Sequence, residues 1–190
     1  ALIIIPLSLI SVIFERGAFT NLDTISTSQA LAIYGLGLPA FVLQKVLQPL
    51  FFAREDTRSP FIFALLAMFL NVSLAICLSF YVGFLAAAIG TSISSWVMIF
   101  LLWNGCKKMG DSSRIDARLK RNLPFIILSS ILMGMVIYIV QYFLNNSLHT
   151  PNIRYLMLTI LIFSGIISYL FFINLFGIIP KQGLRAMIKK

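Results

Sequence analysis

At 190 residues, 59% of them hydrophobic and only 11% charged, with a mean hydropathy of +0.97, the chain lies far outside the composition of a water-soluble domain. A membrane-crossing helix needs about 20 mostly apolar residues to span roughly 30 Å of hydrocarbon, and runs of that length recur along the sequence. The fold class expected is an all-α, polytopic transmembrane helix bundle. The net charge of +9 gathers at the ends of these runs, so it reads as a topology signal helped by anionic headgroups, with no nucleic acid as partner.

In chain order, the first apolar run, Ala1 to Phe14, is too short at about 21 Å of helix to span. It has neither the basic start nor the small-residue cleavage site of a signal peptide. We read it as the second half of a helix that begins upstream, which makes the chain one truncated span plus five complete ones. The complete spans are expected at 28–53, 60–82, 84–104, 123–144 and 155–179, with a tail at 180–190, all in one domain covering 1–190. Ser59-Pro60, Leu123-Pro124 and Thr150-Pro151 place proline near a first helical turn, with Ser59 and Thr150 as N-caps. Pro180 closes the last run. The short turn Tyr81 to Phe84 makes a tight antiparallel hairpin. Gly105 to Asn122 is the one stretch with the character of a soluble linker.

The cations orient this ladder. With alternating helices, Arg54, Arg58, Lys107, Lys108, Arg114, Arg118, Lys120, Arg121, Lys181, Arg185, Lys189 and Lys190 fall on one side, and only Arg16 and Arg154 on the other. Short loops rich in Lys and Arg stay in the cytoplasm, so the tail is expected to be cytoplasmic.

Catalytic motifs are missing from the sequence: it has no HExxH, CxxC, GxSxG, Walker loop or dinucleotide fingerprint, and its single histidine, His149, falls in an outside loop. A transporter or flippase rather than an enzyme is expected, with no cofactor. Cys77 within a span and Cys106 at a cytoplasmic end are expected to stay reduced.

Lys45 carries the most information. It lies about eight residues, or roughly 12 Å, from the cytoplasmic end of its run, with Gln44 and Gln48 beside it. An ionisable group at that depth faces a bundle interior or a water-filled path, or else snorkels its stem to the headgroups. Its helix also carries Gly35, Gly37, Pro39 and Pro49. Each proline removes the partner of the carbonyl four residues back, so two bends are expected, serving either a moving hinge or a static kink. Small residues at 86, 90 and 94, and at 164 and 168, form packing faces. Asn71 and Thr91 are polar positions on the two hairpin helices, suited to one interhelical hydrogen bond or a cation site.

The stretches ISVIFERGAFT and ALAIYGLGLPAFVLQKVLQPLFFAREDTRSP together resemble the MurJ/MviN family of lipid II flippases, within the superfamily of multidrug, oligosaccharidyl-lipid and polysaccharide exporters. The resemblance is close over Ile10 to Pro60 and rests on hydropathy and helix order beyond it. It implies the C-terminal lobe of a two-lobed, fourteen-helix transporter in the bacterial cytoplasmic (inner) membrane, whose partners would be lipid II, membrane lipids and the N-terminal lobe of the same protein. The family moves the undecaprenyl-pyrophosphate-linked peptidoglycan precursor from the inner to the outer leaflet by alternating access. On that pattern Glu15 and Arg16 lie at the periplasmic mouth, and Arg54, Asp56 and Arg58 at the cytoplasmic one. Arg54 or Arg58 paired with Asp56 in an exposed salt bridge is the plainer reading of that loop. The resemblance also brings a sodium site made of an Asn, an Asp one turn later and a Thr on the next helix. Asn71 and Thr91 match two of its members, and the acid position is Ala75. Other readings of the residues are a drug/cation antiporter or polysaccharide-lipid exporter of the same superfold, and a non-transporting membrane scaffold.

Overall fold

The computed structural model describes residues 1–107, 117–148 and 153–177, all of them helical or in helix connections. The order is α1 (Pro6–Phe14), α2 (Asn21–Phe52), α3 (Arg58–Val82), α4 (Leu85–Lys107), α5 (Ala117–Leu148) and α6 (Arg154–Leu175). The last five are long and apolar enough to cross a membrane. Helix is what such sequences must form in lipid, because every backbone N–H and C=O has to find its partner within the segment. The expected features at Thr150, His149, Lys108 to Arg114 and the tail lie outside the described residues.

The chain forms two compact units, one built of α2, α3 and α4 and the other of α1, α5 and α6. In the first, α3 and α4 form the hairpin. Its turn closes at Gly83, whose φ of +58° is a left-handed value that glycine adopts without penalty, and whose carbonyl takes the Ala86 N–H at 3.1 Å. From Ser59 to Cys106 there is no Asp, Glu, Lys or Arg. Phe80 and Tyr81 at the turn are 83% and 88% exposed.

Close approach explains how the hairpin holds together. Lipid is as apolar as leucine, so helices associate through packing and small residues rather than through water exclusion. Ala86, Gly90 and Ser94 are all buried, and a Cβ on Gly90 would stand 2.9 Å from Asn71 Oδ1 and 3.1 Å from the Asn71 carbonyl. Farther along, Leu47 and Phe51 of α2 join Met98, Leu102 and Cys106 of α4 in a core. Phe51 meets Phe63 of α3 edge-on at 6.2 Å, and Gly105 leaves room for both rings.

In the second unit, Ile5, Ile137 and Leu161 form one buried cluster and Val12 and Leu158 another. Gly165 of α6 packs against Ile137, while Ser164 and Ser168 turn their hydroxyls back to the carbonyls of Leu161 and Gly165. One polar bond ties α1 to α5, from Gln141 Nε2 to Ser8 Oγ at 2.9 Å.

Some boundaries differ from those the sequence suggests. Helix α2 starts at Asn21, seven residues ahead of Ser28. Helix α5 starts at Ala117, so Pro124 lies inside it. The polar, basic residues before the apolar run continue the same helix, which absorbs the one hydrogen bond that proline deletes.

Candidate functional site

The long helix α2 carries half of the candidate residues: Gly35, Gly37, Pro39, Gln44, Lys45, Gln48 and Pro49. It runs unbroken through Pro39 and Pro49. Pro39 has no N–H for the Gly35 carbonyl, and side chains of α4 add donors to the carbonyls on either side. Ser92 Oγ donates to the Ile33 carbonyl at 2.8 Å, and Trp96 Nε1 donates to the Leu36 carbonyl at 3.1 Å. Gly35 and Gly37 are buried. A Cβ at Gly37 would meet Ser92 Oγ at 3.0 Å and its Cα at 3.2 Å. The glycine-proline segment is thus the place where α2 comes into backbone contact with α4 and where α4 holds its carbonyls.

One turn further, the polar trio divides. Gln44 is half-buried and donates through Nε2 to the Ser95 carbonyl at 3.4 Å, Gln48 is half-buried, and Lys45 between them is exposed. The 100° step between successive residues of a helix produces this split: when Gln44 and Leu47 face α4, Lys45 points to another side.

The α2–α3 connection is tightly built. The Glu55 N–H reaches the Phe52 carbonyl and the Asp56 N–H the Phe51 carbonyl, at 3.0 and 3.1 Å, and Glu55 between them has φ +60°. That is a Schellman ending with glutamate where glycine is usual. Asp56 Oδ1 then accepts the Ser59 N–H at 3.0 Å, which serves α3 from the residue before Thr57, itself without a capping bond. The expected Ser59 cap is therefore replaced by Asp56, because α3 begins at Arg58 and leaves Ser59 inside its first turn. Hydrogen bonds from the Ser59 hydroxyl, the Ser59 N–H and the Arg58 N–H hold the Asp56 carboxyl below its ordinary range. Arg54 and Arg58 flank it, both exposed. A half-open pocket of about 400 Å³ borders the same loop, lined by Asp56, Ser59, Asn104 and the rings of Phe51 and Phe63.

Asn71 and Thr91 form no hydrogen bond with each other. Asn71 Oδ1 faces Gly90, and the Thr91 hydroxyl donates to the Ala87 carbonyl of its own helix at 2.8 Å. No group of three or more His, Cys, Asp or Glu able to hold a metal occurs among the described residues. Cys77 and Cys106 are free thiols.

In the other unit, Glu15 and Arg16 follow the end of α1. Arg16 donates through Nε and Nη2 to the Ile13 carbonyl at 3.2 and 2.8 Å, as a cation at a helix C-terminus should. Its guanidinium carbon also lies 5.8 Å from the centre of the Tyr155 ring. Neither Tyr155 nor the α4 donors Ser92 and Trp96 stand out in the sequence. Ser92, Ser95 and Trp96, at helical spacing in an apolar run, are the signal that could have marked the latter.

Comparison with known proteins places this geometry. The family model described as "Lipid II flippase MurJ" matches residues 1–176. A protein of Rhizobium meliloti named probable lipid II flippase MurJ is 39% identical over 73% of this chain and 26% of its own. One of Rickettsia prowazekii with the same name is 32% identical over 78% of this chain and 29% of its own. A solved structure titled "Lipid II flippase MurJ, inward closed conformation" superposes with a TM-score of 0.74 at 30% identity, covering 92% of this chain and 34% of that one. The chain thus spans between about a quarter and a third of the length of the relatives it matches. On a family match that runs through every described helix, the chain belongs to the lipid II flippase MurJ family.

Proposed function

We propose that this chain is the C-terminal lobe of a lipid II flippase, which moves undecaprenyl-pyrophosphate-linked peptidoglycan precursor from the inner to the outer leaflet of the bacterial cytoplasmic membrane. The observation that carries the proposal is the superposition on a solved flippase over 92% of the chain. The protein is a transporter, works by alternating access between two lobes, and uses no cofactor. Its N-terminal lobe supplies the rest of the path, and the excess of cations in the even-numbered connections supports a cytoplasmic C-terminus.

In this reading α2 is the working helix. Lys45, on a side of α2 that α4 does not cover, offers a cation to the pyrophosphate path at a depth where an idle charge would cost several kcal/mol. Gln44 and Gln48 flank it. Gly35, Gly37, Pro39 and Pro49 let α2 bend, while Glu15, Arg16, Arg54, Asp56 and Arg58 mark the two mouths. Asn71 and Thr91 are left as packing residues of the hairpin.

The test uses cells depleted of the native-length protein and measures lipid-linked precursor accessible from the periplasmic face. Wild type restores access and Lys45→Ala, at equal membrane abundance, restores less than about a tenth of it. Unchanged access on depletion, with no second flippase present, overturns the assignment. Full rescue by Lys45→Ala removes Lys45 from the path.

A further inference from the structure

Arg16 and Arg154 are separated by most of the chain, and both meet one ring. Arg154, the first residue of α6, has its guanidinium carbon 5.0 Å from the Tyr155 ring centre, and its Nη2 donates to the Tyr155 hydroxyl at 3.1 Å. Arg16 approaches the same ring from the end of α1 at 5.8 Å. Two guanidiniums drawn to one aromatic ring repel each other, and at a membrane boundary water screens that repulsion less than in bulk. Arg154 Nε is moreover buried without a hydrogen-bond partner, a donor that ordinarily finds an acceptor. Arg16 still has three N–H groups beyond the two spent on Ile13.

The backbone at this point favours the same ligand. Helix α6 starts with no side-chain cap and no acidic residue in its first turn, so its positive end is uncompensated there. Tyr155, having accepted from Arg154, keeps its own hydroxyl proton to donate. Glu15 takes part in interactions of its own, and with it counted the three charges still sum to a net positive. Since the apolar span begins at Arg154 itself, the cluster stands at headgroup level.

From this geometry we infer that Arg16, Arg154 and Tyr155 form a binding site for the phosphate of a lipid headgroup, distinct from the α2 path. The guanidiniums supply forked, charge-assisted donors matched to phosphate oxygens, the tyrosine hydroxyl supplies a neutral one, and the α6 N-terminus adds its dipole. An occupied site would pin the end of α1 to the start of α6. The inference does not depend on which precursor the protein carries.

The experiment counts lipids retained by the native-length protein in native mass spectrometry, titrating a phosphatidylglycerol and, separately, a phosphatidylcholine. Arg16→Gln with Arg154→Gln is expected to weaken the tightest phosphatidylglycerol by about tenfold or more, since an ionic hydrogen bond lost per arginine is of that order. Phosphatidylcholine binding should change less. Millimolar inorganic pyrophosphate separates the sources: release of the retained lipid assigns recognition to the phosphate alone, and retention assigns it to phosphate and acyl chains together. Arg154→Lys, which keeps the charge and loses the fork, should fall between wild type and the double variant, and serves if the double variant fails to fold. Equal phosphatidylglycerol affinity in wild type and either variant overturns the proposal.

Discussion

Glu55 holds a conformation that its side chain disfavours. Its φ of +60° costs an L-residue about 1 kcal/mol or more relative to glycine, and the Schellman hydrogen bonds around it leave no other backbone path. Glu55→Gly should raise the thermal midpoint in detergent by about 3 °C, whereas Glu55→Ala should leave it unchanged or lower. Its neighbour Asp56 works in the opposite sense. Because hydrogen bonds from Ser59 and Arg58 lower its folded pKa, the stability it contributes is present above the ordinary carboxylate range and is lost as pH falls through the lowered value. Asp56→Asn should therefore unfold at lower temperature than wild type at neutral pH, and the gap should close in acid. A gap that persists unchanged to pH 3 would refute that account. In the sequence, the charged run Arg54 to Arg58 is visible as a loop, but its capping geometry is not. Serine before proline is a good cap signal, and the signal fails here only because α3 starts at Arg58, a residue earlier than Ser59.

For the helices, what was legible is what lipid imposes. Five apolar runs of spanning length can be counted by hydropathy, and Gly83 with its short connection announces the α3–α4 hairpin. The faces were legible in part. Ala86, Gly90 and Ser94 show as a small-residue stripe, and all three are buried. Contacts between distant segments were not legible: Ser92 on the Ile33 carbonyl, Trp96 on the Leu36 carbonyl and Arg16 beside the Tyr155 ring are tertiary relations without local periodicity. Arg154 counted in the sequence only as one of two outside cations. The hairpin gives a direct test of the packing argument. Gly90→Ala drives a methyl to 2.9 Å from Asn71 Oδ1 and 3.1 Å from backbone, and should lower stability by about 1–3 kcal/mol, read as the loss of midpoint in a detergent unfolding series. Gly83→Asn meets open space, so the loss expected there reads the backbone strain of φ +58° and ψ −132° rather than a clash.

At the scale of the molecule, the distribution of charge sets the expected topology. With Cys77 and Cys106 replaced by serine, Tyr81→Cys should react with a membrane-impermeant maleimide in intact spheroplasts, and Thr57→Cys only after permeabilisation. The reverse pattern would invert the orientation. The α3–α4 hairpin has a further consequence. Its charges stand at one end alone, at Arg58 and Lys107, and the opposite end closes on Phe80, Tyr81 and Phe84 with no ion to hold it in water. Lys and Arg fix a helix end sharply at the headgroups, while aromatic rings tolerate a band of depths. A change in bilayer thickness is then taken up almost wholly at the aromatic turn, which rides deeper or shallower while the charged end stays in register. The hairpin is tethered to one leaflet and free to float against the other, so the thickness of the membrane becomes a variable that this part of the protein can follow without breaking an ion pair.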